Sequence, residues 1–131
     1  MKNIRFIAGA SLVLLLSGSA EAKDWPITIA NNGSVELARP SSVVDCQSYL
    51  ASPPTAEMLV GHPNLRLSLK EKPVMPVIKT CTKEVPGAIL SLIAEGIKEP
   101  STATIVVRWR YVHKDGAITY RGKKFVVTMT P

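Results

Sequence analysis

Few residues in this 131-residue chain are of types that do chemistry, and most of them stand apart. A hydrolase needs a nucleophile held beside a base. Neither the Gly-x-Ser-x-Gly elbow nor a Ser-x-x-Lys pair occurs in the sequence. His62 and His113 are the two near-neutral bases, and no spacing in the chain ties either to a serine or cysteine. Asp24, Asp45, Glu57, Glu84 and Glu95 are scattered through polar contexts and nominate no acid–base pair. Met58, Met75, Met129 and the two histidines are ligand types that suit copper, but they are far apart and form no motif. No metal or cofactor is assigned. Gly116 to Lys124 contains two glycines and two lysines, yet it lacks the phosphate-loop spacing and the hydroxyl residue that follows it.

Two constellations remain. The first is Cys46 with Cys81, which an oxidising compartment would join into a disulfide. Closing that loop is worth about 3–4 kcal/mol through the entropy removed from the unfolded chain. The second is a knot of cations, Arg108, Arg110, Arg121 and Lys124, near the C-terminus. It sits in two runs rich in Val, Ile, Thr, Tyr and Trp, separated by Lys114-Asp115-Gly116, a pattern that predicts a β-hairpin over 102–130. Side chains alternate along a strand, so Ala103, Ile105, Val107, Trp109 and Tyr111 share the core face, and Arg108 and Arg110 face away. A two-residue Asp115-Gly116 loop places Val107 against Lys124. One extra residue near Gly122 and Lys123 brings Val107 to Phe125, Ile105 to Val127 and Ala103 to Met129, so a β-bulge is expected there. That register sets Arg110 beside Arg121 and Arg108 beside Lys124. Facing like charges weaken a ladder by up to roughly 1 kcal/mol per pair, which an acidic partner or simple solvation would relieve.

Trp25 to Ala30 and Ser34 to Ala38 flank Asn31-Asn32-Gly33 and predict an N-terminal hairpin. Asn32-Gly33-Ser34 also matches a glycosylation sequon, and the turn is the preferred reading. Ser41 to Ala51 has a mixed period and is assigned as a short helix, followed by another over Thr55 to Val60. Leu65, Leu67 and Leu69 alternate with Arg66, Ser68 and Lys70 as a half-buried strand. Val74 to Thr82, interrupted by Pro76, is expected at a sheet edge and delivers Cys81. Pro86 at a first helical position, with Ile89, Leu90, Ile93 and Ile97 at helical spacing, predicts an amphipathic helix over 86–98. The expected fold is therefore α+β: a single small domain with an antiparallel sheet of about five or six strands and that helix packed on it.

Met1 to Ala22 has the pattern of a cleavable signal peptide: Lys2 and Arg5, an apolar run from Phe6 to Leu16, then Ala20-Glu21-Ala22. The run is shorter than the roughly 20 residues that span a bilayer, and Ser19 stands where a lipobox needs cysteine. A mature exported domain of 23–131, periplasmic or extracellular, is expected. Without the leader's Lys2, Arg5 and Glu21 it has a net charge of about +5, which favours a protein with an acidic surface or an anionic envelope polymer as partner. Nucleic acid is disfavoured by compartment and by the lack of interleaved exposed aromatics. The expected function is a non-enzymatic protein-binding module, an inhibitor or immunity-type protein against an envelope-active enzyme. The alternatives are a structural accessory of an envelope assembly, such as a pilus, secretion or conjugation apparatus, and a small periplasmic hydrolase.

Overall fold

Alternation of side chains, rather than helical spacing, organises the chain. The computed structural model describes residues 24–131; the expected leader and Lys23 lie outside the described residues. Within them the elements are β1 Asp24–Ala30, β2 Ser34–Ala38, β3 Val43–Val44, β4 Gln47–Ser48, β5 Thr55–Val60, β6 Leu65–Val74, β7 Val85–Ala94, β8 Ser101–Val112 and β9 Ile118–Thr130. No helix occurs among the described residues, so the α+β expectation is corrected to all-β.

Two sheets face each other. One has the order β1-β9-β8-β5 and the other β2-β7-β6, with β3 and β4 forming a two-residue ribbon between β2 and β5. β1 runs parallel to β9, and every other pairing is antiparallel. This strand order and these directions are those of an immunoglobulin-type sandwich whose first strand joins the sheet of its last strands. The core lies between the sheets: Leu90, Leu92 and Ala94 of β7 and Leu65 of β6 meet Ile105, Val107 and Trp109 of β8 and Phe125, Val127 and Met129 of β9.

The expected helix over 86–98 is the centre strand of the smaller sheet. Ala88, Leu90, Leu92 and Ala94 have no exposed surface and point inward, while Ile89, Ser91 and Ile93 point out, half-buried. The 3.6-residue spacing of its isoleucines is a by-product of a strand that is apolar on both faces, as centre strands often are. The two short helices are also absent. Ser41 to Ala51 holds the β3–β4 ribbon, whose tight turn places Asp45 and Cys46 at φ 53° and 60°. Thr55 to Val60 is β5, paired with β8. Six residues make too few hydrogen bonds to sustain a helix alone, whereas an edge strand gains a ladder at once.

β1 and β2 exist as strands, but they do not form a hairpin; each joins a different sheet. The corner between them is tied to both. Asn31 N–H donates to Thr130 O at 2.8 Å, Asn32 N–H to Ala94 O at 2.9 Å, and Ile97 N–H to Asn31 Oδ1 at 3.0 Å. Asn32, at φ 64°, supplies the left-handed residue of that corner. β6 continues to Val74, beyond the expected alternation, and Cys81 sits in the loop over 75–84 instead of on an edge strand.

Candidate functional site

The hairpin forms, with a different register. His113 N–H donates to Ala117 O at 2.9 Å and Gly116 N–H to His113 O at 2.9 Å, so the loop is the three residues Lys114-Asp115-Gly116, with Gly116 at φ 90°. A three-residue loop that ends in a left-handed glycine takes up the odd residue at the turn itself. β8 and β9 then pair without interruption from Val112↔Ile118 to Ser101↔Met129, and the expected bulge near Gly122 is absent. Trp109, Val107 and Ile105 do face the core, as the alternation implies. Their partners are Arg121, Lys123 and Phe125.

This register removes both like-charge pairs. Arg110 lies beside Tyr120, Arg108 beside Gly122, and Lys124 beside Val106. Arg121 is paired with Trp109 and belongs to the opposite side of the ribbon, at an exposed position, so it leaves the set. Arg108, Arg110 and Lys124 share the outer face of the four-stranded sheet. On β5, Thr55 pairs with Arg110 and Glu57 with Arg108 across the other ladder.

Two of these three cations have partners. The Arg108 guanidinium donates to Glu57 Oε2 through Nε at 3.0 Å and also through a terminal nitrogen, and it lies over the Tyr120 ring with 4.5 Å to the centroid. The hydrogen bond to Glu57 holds the Arg108 pKa above its ordinary value. Lys124 Nζ is 3.3 Å from Asp24 Oδ1. Arg110 has no carboxylate within ion-pair distance among the described residues. It borders a shallow cleft of about 110 Å³ with Thr55, Glu57, Arg108 and Tyr120. Half-exposed Ile118, Tyr120, Leu59 and Val60 add apolar surface on the same three strands. Glu57 and Tyr120 were not legible as site residues. Glu57 falls in a segment that the sequence pattern reads as a helix, and a two-residue loop would set Tyr120 one position away from Arg110.

Hydroxyl and imidazole chemistry gathers at one end of the sandwich. Ser42 Oγ lies 3.3 Å from His113 Nδ1, and Thr119 Oγ1 lies 3.0 Å from Nε2. The rings of Tyr49 and Tyr111 pack against the imidazole. A hydroxyl therefore stands where a hydrolytic triad has its orienting carboxylate. The nearby carboxylate, Asp115, accepts from Ala117 N–H at 2.9 Å and is hydrogen-bonded by Tyr49. These two bonds, the backbone one foremost, hold its pKa below the ordinary value, and burial with the Asp115 charge raises that of Tyr49. Lys114 N–H donates to Tyr49 O at 2.9 Å and Ala51 N–H to Val112 O at 2.8 Å, so the cluster joins the β2–β5 connection to the hairpin turn. His62 accepts from Asn64 N–H at 3.1 Å, within its loop. No three His, Cys, Asp or Glu side chains gather as a metal site among the described residues.

Cys46 and Cys81 form the expected disulfide, with Cα atoms 5.2 Å apart. It links the exposed β3–β4 turn to the loop over 75–84, where Cys81 is buried and Met75, Val77 and Ile78 are exposed. Compared with known proteins, the chain matches no family model, and no curated protein is significantly similar to it.

Proposed function

We propose that the protein is a non-enzymatic, exported protein-binding module that presents the outer face of its four-stranded sheet to an acidic partner, as an inhibitor or immunity-type protein would. Arg110 carries this reading. Its guanidinium lacks a carboxylate among the described residues and stands beside a closed Arg108–Glu57 pair and the Tyr120 ring. Arg and Tyr are the side chains that most often anchor interfaces, because each joins a large apolar body to a polar group. A pre-set neighbour also lowers the ordering cost of binding. The Cys46–Cys81 bridge is compatible with an oxidising compartment.

Capture from periplasmic extract on immobilised wild-type protein, with an Arg110→Glu column run beside it, tests the reading. The expected result is an acidic protein retained only by the wild type, with association that slows as salt is added. Equal retention on both columns would refute the assignment.

A further inference from the structure

Among the described residues, β6 is the longest strand with a free edge. It pairs only with β7, while the edge strands β1, β2 and β5 are shorter. An unpaired edge is a row of backbone donors and acceptors that a second extended chain can match. The side chains of β6 give that edge a chemical character. Leu65, Leu67 and Leu69 point toward the core, with Leu67 and Leu69 only partly covered. Arg66, Ser68, Lys70 and Lys72 alternate with them on the outer face of the smaller sheet. Glu95 lies 3.5 Å from Arg66, and Lys72 feels the charge of Glu36, which is itself bonded to Arg39. Lys70 has no ion-pair partner among the described residues.

The far end of the edge opens into two clefts that share Glu71, Pro86 and Gly87. The larger, about 290 Å³, is lined further by Leu50, Pro53, Pro54 and Lys114, and the smaller, about 250 Å³, by Lys72 and Pro73. We infer that β6 receives an extended segment of a partner protein in which acidic and apolar residues alternate. Main-chain hydrogen bonds would run along the edge, acidic side chains would lie across from Lys70 and Lys72, and apolar ones beside Leu67 and Leu69. A second copy of β6 is a poor occupant, because its own lysines and arginine would meet these cations. This surface lies on the opposite sheet from Arg110 and stands independently of the function proposed above.

The probe is a synthetic ten-residue peptide alternating valine and glutamate, compared with one alternating valine and lysine. The expected result is saturable binding of the glutamate peptide, with slowed amide exchange at alternate residues of Leu65–Val74. Reversing Lys70 and Lys72 to Glu should weaken it about tenfold, from two cross-strand charge pairs converted to repulsion. The thermal midpoint checks that this variant stays folded, and Arg110→Glu should bind the peptide as wild type does. Binding without new protection on β6, equal affinity for the lysine peptide, or full affinity in the reversed variant would each overturn the inference.

Discussion

Removing the Cys46–Cys81 bridge tests how the β3–β4 turn and the loop over 75–84 are held together. The two residues are separated by 35 positions, and releasing that closure costs about 4 kcal/mol through the freedom regained by the unfolded chain. For a domain near 100 residues this lowers the thermal midpoint by roughly 15–20 °C. The backbone adds a second term. Cys46 sits at φ 60°, where a side chain costs about 1–2 kcal/mol and glycine costs little. Cys46→Ala/Cys81→Ala should therefore lose the full amount, whereas Cys46→Gly/Cys81→Ala should recover about 1 kcal/mol of it. Urea unfolding followed by tryptophan fluorescence reads both variants against the oxidised protein, Trp109 being buried. A loss under about 1 kcal/mol for the alanine pair at unchanged denaturant slope would refute the loop-closure account. Equal stability of the two variants would refute the left-handed turn.

Gly87→Ala should cost about 1–3 kcal/mol, because its Cβ would stand 2.6 Å from Val74 Cγ2 and 2.7 Å from the Pro40 carbonyl oxygen, and the backbone there has little room to yield. Gly122→Ala meets nothing closer than 3.6 Å and should be tolerated, a contrast that paired urea midpoints will show. The Asp115 pKa is lowered in the folded state, so its contribution to stability is complete above the unfolded pKa and disappears as pH falls through the folded one. Thermal midpoints across the acidic range should show that loss in the wild type, and Asp115→Ala should flatten it.

How much of this was legible depends on where each residue's competing signals lay. Strand alternation was unambiguous where one face is polar, and so Leu65 to Lys70 and the inward set from Ala103 to Tyr111 are found where the pattern put them. It failed in β7, where Ala88, Leu90, Leu92 and Ala94 fill the core while Ile89 and Ile93 lie outward beside Lys70 and Arg66. The long stems of those cations cover outward apolar groups, which lets a strand carry isoleucine on both faces. Alanine and leucine favour helices in isolation, and pairing on two sides overrides that preference. In β5, an edge strand paired only with β8, the sequence Ala56-Glu57-Met58-Leu59 also favours a helix in isolation, and reading it as one hides Glu57, the partner of Arg108.

The site itself turned on one residue in a loop. Counting Asp115-Gly116 as a two-residue connection shifts the facing strand by one position, and in a structure with period two that exchanges its faces. The sequence then needed a bulge to return Phe125, Val127 and Met129 to the core, and Gly122 was the natural place for one. The chain instead inserts its extra residue at Gly116, in the turn, where φ 90° is available only to glycine at low cost. Gly122 is thereby left in a regular ladder opposite Arg108. With no side chain facing it there, Arg108 is free to lean along the outer face onto Tyr120 while its nitrogens hold Glu57. Arg110, one pair further up and flanked by Thr55 and Tyr120, is left as the open cation. Lengthening the loop by one residue thus changes a row of mutually repelling charges into one open guanidinium beside a closed pair.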